Sequence, residues 1–198
     1  MMRKVAILLG GAALLAACQS AAPPPPPPAA VVDPNDPRFA PGFMALAASG
    51  DQFEIQSSQL ALQMSQNPGV RNFANMLIAD HARLSQALAA AATAAGLTPP
   101  APALLPQHQA MLDQLRASGS GPAFDMAFQQ AQISAHQNAL NLMQTYAASG
   151  DVPALRTAAS QAAPAIRMHL LQAQSLIVAP PAPPPQPMPS PGSAGERG

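Results

Sequence analysis

The chain has 198 residues, with 9 Lys and Arg against 9 Asp and Glu and no formal net charge. Its only lysine, Lys4, lies in the first four residues, so the rest offers no basic face to neutralise phosphates and nucleic acid is not expected as a partner. Of 25 prolines, 17 fall at or before Pro41 or at or after Pro180, which sets the two ends apart from the middle.

The start reads as an export signal over residues 1–17. Arg3 and Lys4 precede an apolar run from Val5 to Leu15, too short to span a bilayer and followed by small residues. The single cysteine, Cys18, follows Leu15-Ala16-Ala17 directly. An unpaired cysteine in an exported chain needs a purpose, and this one resembles the lipobox cysteine of bacterial lipoproteins. That resemblance implies a diacylated Cys18 at the mature N-terminus and a protein anchored to a membrane rather than spanning it. Gln19 in place of Asp leans the expected location toward the outer membrane, facing the periplasm. Residues 18–41 include the unbroken run Pro23 to Pro28 and read as a polyproline II spacer. Residues 179–198 read as a disordered Pro-rich tail.

Residues 42–178 are long enough for one domain with a core. They are rich in Ala, Leu, Gln and Met and poor in β-branched and aromatic residues, so the fold class is all-α. Phe43 to Gln66 reads as the first helix, with a break or kink at Gly50-Asp51. Asn67-Pro68-Gly69 turns the chain into a second helix, Val70 to Ala95, bearing the stripe Val70, Phe73, Leu77, Leu84 and Leu88. A crossover carries a short helix, Gln107 to Ala117, and Ser118 to Gly121 forms a turn. Pro122 to Ala148 is the next long helix, and Val152 to Val178 the last, with Pro164 expected to kink it. The string Ala-Ala-Ser-Gly-Asp occurs at Ala47 and again at Ala147, and reads as punctuation in which Gly closes one helix and Asp caps the next. Two hairpins joined by one long crossover make a ferritin-like four-helix bundle with an extra short helix.

Four ionisable residues sit where apolar ones belong. At 100° per residue, Glu54, His81 and His136 lie within the apolar arcs of the first three long helices, and His169 lies near the edge of the fourth. Glu54 and His81 are at similar depth from the first turn. Metal sites in bundles are built from such inward side chains, and imidazole with carboxylate suits Zn, Fe, Mn or Cu. A transition metal is therefore the candidate cofactor. The competing reading is a buried polar network without metal. In that reading Glu54, three residues after Asp51, closes a capping box, and Asp125 complements a helix dipole. Asp80 is set aside because neighbours on a helix point about 100° apart. His108 is placed on the surface. Met44, Met64, Met76, Met111, Met126, Met143 and Met168 read as flexible core filler rather than a copper-binding cluster.

Phe43, Glu54-Ile55, Asn67-Pro68, Val70-Arg71, Phe73-Ala74, Asp80-His81, Phe124-Asp125, Gln132-Ile133, His136-Gln137 and His169-Leu170 together resemble a bacterial family described as an outer membrane protein of unknown function. That resemblance implies a ferritin-like fold and an envelope location, and no established activity. The chain departs from the di-metal carboxylate pattern, because Ile78, Ile133 and Ile166 stand where Glu-x-x-His would place Glu. No nucleophile–base pair or phosphate loop is present. The first functional reading is thus a non-enzymatic binding or stress-related lipoprotein. The alternatives are a metal-binding bundle with a redox role and a structural periplasmic tether. Protein partners are left open.

Overall fold

A computed structural model describes residues 36–176. The predicted signal, Cys18, most of the spacer and the Pro-rich tail lie outside the described residues. Within them are five helices and no strand: α1 (Ala40–Met64), α2 (Pro68–Ala94), α3 (Pro106–Ala117), α4 (Pro122–Ser149) and α5 (Pro153–Ser175). The expected all-helical class is what the described residues adopt.

Each helix carries a proline in its first turn. Proline is tolerated there because the first backbone N–H groups have no intrahelical partner and its fixed φ already suits the helix. The mid-chain prolines therefore start helices more often than they stop them. At α2 the Asn67 side chain also accepts from the Gly69 N–H at 2.9 Å, capping the helix. Pro164 is the exception, lying inside α5, which continues through it.

α1 pairs with α2 and α4 with α5. α2 against α5 and α1 against α4 close the ring, and α3 lies across α1 and α4. The Gly121 N–H bonds the Met64 carbonyl at 2.9 Å, which fixes the start of α4 beside the end of α1. The crossover thus runs the length of the bundle, and neighbouring helices are antiparallel.

The apolar core falls into two halves. Phe53, Phe73, Leu77, Phe124 and Phe128 fill one. Phe43, Leu88, Met143, Tyr146, Leu155 and Ile166 fill the other, where Phe43 and Tyr146 stack at 3.8 Å. On α2, α4 and α5 the residues between these halves are His81, His136 and His169. Among the described residues no helix is long and apolar enough to cross a membrane.

Several expectations need correction. α1 does not break at Gly50-Asp51, because Asp51 is buried against α2 and its carboxylate is held there rather than capping a helix. Glu54 is likewise buried in mid-helix, so no capping box exists. At the second copy of the string, Gly150 does end α4, but Asp151 accepts from the Tyr146 hydroxyl at 2.7 Å instead of capping α5. α5 ends at Ser175, short of Val178. Met44 and Met143 are buried and Met64, Met76 and Met111 pack on the core, whereas Met126 and Met168 are exposed.

Candidate metal centre

His81 from α2, His136 from α4 and His169 from α5 meet in the middle of the bundle. Their ring centroids are 5.3–5.5 Å apart, and all three side chains are buried. One ring nitrogen of each can be chosen so that all three lie within 4.8 Å of one another.

The second nitrogen of each ring is already engaged. Nδ1 of His81 lies 2.8 Å from Oδ1 of Asp51, whose Oδ2 accepts from the Ser85 hydroxyl at 2.8 Å. Nδ1 of His136 lies 2.9 Å from the Gln132 carbonyl. Nε2 of His169 lies 3.0 Å from Oδ2 of Asp80, which also pairs with Arg83. A carbonyl or ionised carboxylate only accepts. Each of these nitrogens must therefore carry its proton and donate. That leaves a lone pair on Nε2 of His136 and Nδ1 of His169, and on Nε2 of His81 whenever that ring gives up its second proton. These three atoms are buried and have no hydrogen-bond partner among the described residues.

Such an arrangement is costly as it stands. An unsatisfied buried acceptor costs about 1–3 kcal/mol, and here the rings that carry these nitrogens lie against one another. A metal ion removes the cost, displacing the second proton of His81 where that ring is charged. The outer partners are those that orient metal-bound imidazoles, since a carboxylate or carbonyl on the far nitrogen fixes the tautomer and makes the ring a stronger donor.

Electrostatics favours neutral rings at two of the three. Burial, with the nearby His81 charge, pushes His136 down to about 3. Burial also lowers His169, against the opposing pull of Asp80. His81 is different. Burial works against its charged form, but the Asp51 hydrogen bond and the charges of Glu54, Asp51 and Asp80 together raise its pKa.

Glu54 lies beside the triad rather than within it. Its Oε1 is 3.7 Å from Nδ1 of His136, the outer nitrogen of that ring, and its Oε2 has no partner. Burial pushes Glu54 up to about 7, despite the His81 charge and a Gln132 hydrogen bond. Gln132 in turn donates to Ser57 at 3.0 Å. Of the four residues singled out from sequence, three converge and the fourth is their neighbour.

Asp51 and Asp80 are the partners of the cluster that periodicity missed. Asp51 resembled a cap because it follows Gly50. Asp80 adjoins His81 and points about 100° away from it, and that same offset aims it at α5 and His169. His108 is half-buried, not on the surface. Its Nδ1 lies 2.7 Å from the Ser49 hydroxyl and its ring stacks on Phe53. Asp125 is buried with Oδ1 unpartnered, in the first turn of α4.

A helical bundle with a closed three-imidazole cluster at its centre is the class of protein that this fold and site define. Residues 23–176 match the family described as Domain of unknown function (DUF4142), and the chain belongs to that family. Among solved structures it is similar to CopM in the Cu(II)-bound form, with a TM-score of 0.55 and 20% sequence identity. The match covers 67% of this chain and 91% of that one. This likeness is one of fold. No curated protein matches the sequence.

Proposed function

We propose that this protein is a non-enzymatic metal-binding lipoprotein of the cell envelope. It holds one divalent transition-metal ion through His81, His136 and His169, with Glu54 beside them to give up its proton when the cation is bound. The observation that carries this reading is that the three clustered rings, with centroids 5.3–5.5 Å apart, each keep one buried nitrogen without a partner among the described residues while the opposite nitrogens are all bonded. Imidazole suits Cu, Zn, Fe and Ni, and at equal geometry Cu(II) binds most tightly among the divalent ions of the series. A Cu(II)-bound structure exists for the similar bundle of CopM. Cu(II) is therefore the favoured ion, with Zn(II) its competitor. The flanks of Cys18 support a lipid anchor that would place the bundle on the periplasmic side of the outer membrane.

The test is elemental analysis of the full-length protein carrying Cys18→Ser, which removes both the lipid and a stray thiol. After loading with Cu(II) or Zn(II) and passage over a desalting column, about one ion per chain is expected to remain. His81→Ala and His169→Ala should lose it. Retention of no metal, or retention unaffected by either change, would overturn the proposal.

A further inference from the structure

A buried ion needs a way in. A cleft of about 390 Å³ opens between α1, α3 and α4. Its outer lining includes the exposed residues Gln107, Asn138 and Asn141, and its inner lining includes Glu54 and His81. It therefore joins the surface to the edge of the triad. A larger cleft of about 520 Å³ lies between α1, α2 and α5, but its walls are mostly alanine and leucine and, among the described residues, no histidine lines it.

Two features shape the first cleft. Gly50 forms part of its wall in the middle of α1, where glycine lowers helix stability by about 0.5–1 kcal/mol relative to alanine. Its φ is not positive, so the backbone does not require glycine. A Cβ placed there would meet only Cε1 of His108, at 3.9 Å. The lost side chain therefore leaves space rather than relieving a clash. The second feature is His108 on α3, held over that space by its contact with Ser49.

We infer that this cleft is the route by which the metal reaches and leaves the triad, with Gly50 keeping it open and His108 narrowing it. The inference rests on the metal-binding reading above. It predicts that residues touching no metal ligand control the rate of exchange without changing the affinity. Gly50→Leu should fill the passage, and Gly50→Ala should leave it open while giving α1 the same gain in helix propensity. His108→Ala should widen it.

Cu(II) capture by full-length Cys18→Ser protein is followed by stopped-flow absorbance, and release by adding excess EDTA. In Gly50→Leu both rates should fall by about tenfold or more, with the Cu(II) dissociation constant unchanged. Gly50→Ala should match the parent, and His108→Ala should exchange faster. Thermal melts confirm that each variant is folded. If the parent takes up Cu(II) but both Gly50→Leu and His108→Ala exchange at the parent rate, the passage is overturned and the metal site stands. If the parent takes up neither Cu(II) nor Zn(II), the metal-binding reading itself fails.

Discussion

Nε2 of His169 on α5 lies 3.0 Å from Oδ2 of Asp80 on α2, and Asp80 is the chain neighbour of His81. One dipeptide thus serves two rings: His81 turns inward to the cluster while Asp80 reaches across to orient His169. A carboxylate there fixes the proton on Nε2 and leaves Nδ1 free to bind. In Asp80→Asn the charge is lost and the amide can also donate, so the tautomer is no longer enforced. Metal affinity should fall about 10–100-fold while the fold survives, since Asp80 is only half-buried. Competition against a chelator of known affinity measures this. Unchanged affinity would mean that Asp80 merely ties α2 to α5.

A site shaped for a cation should destabilise the metal-free protein. Nε2 of His136 is fully buried without a partner. Its Nδ1 bonds a helical carbonyl that keeps a backbone donor in any case. His136→Leu therefore removes an unsatisfied acceptor at little loss, and should raise the stability of the metal-free protein by about 1 kcal/mol while abolishing metal retention. Thermal melts in chelator test the first half. A marked drop in melting temperature would show that the ring is a structural element.

The pH dependence of the metal-free protein separates two opposed groups. His136 is depressed from 6.5 to about 3, so between these values only the unfolded chain binds its proton. Stability is then present above pH 6.5 and is lost as pH falls. Glu54 is raised from 4.5 to about 7, so in that window the folded chain keeps a proton the unfolded chain has released. Stability from this group is complete below pH 4.5 and is lost as pH rises through 7. Glu54→Gln should abolish the second slope, so that its stability relative to the parent improves by about 3 kcal/mol between pH 4 and pH 8, at 1.36 per pKa unit. Denaturant titrations across pH give the comparison. Parallel curves for the two proteins would mean that Glu54 is not held protonated.

Much of this bundle is legible in the sequence, and what is missed has a physical cause. Apolar periodicity places His81 and His136 on inward faces and His169 near the edge of one, because the helix repeat fixes where a side chain points. It says nothing of partners on other helices. Asp51 is hidden by Gly50, since Gly-Asp usually marks a helix boundary and α1 carries on through it. His108 belongs to a short helix with little periodicity, and only the packing of α3 on α1 reveals its contacts with Ser49 and Phe53. Glu54 shows the limit from the other side. An inward face brings it to the cluster, but rotamers and neighbours decide that it stands beside His136 rather than among the ligands.

The repeated Ala-Ala-Ser-Gly-Asp string makes the same point testable within one protein. Gly50 and Gly150 occupy equal places in identical pentapeptides, and neither has a positive φ. A Cβ at Gly50 meets nothing closer than 3.9 Å, whereas at Gly150 it would lie 2.5 Å from Cε1 of Tyr146. That ring cannot easily move away. It is fully buried, stacked on Phe43 and tethered through its hydroxyl to Asp151. Gly150→Ala should therefore destabilise the protein by about 1–3 kcal/mol through overpacking. Gly50→Ala should stabilise it by about 0.5–1 kcal/mol, because an alanine in a helix interior loses less backbone freedom on folding. Urea unfolding of the two variants is the check. Equal effects would mean that the pentapeptide acts locally, and opposite signs would mean that the packing around each copy decides its role.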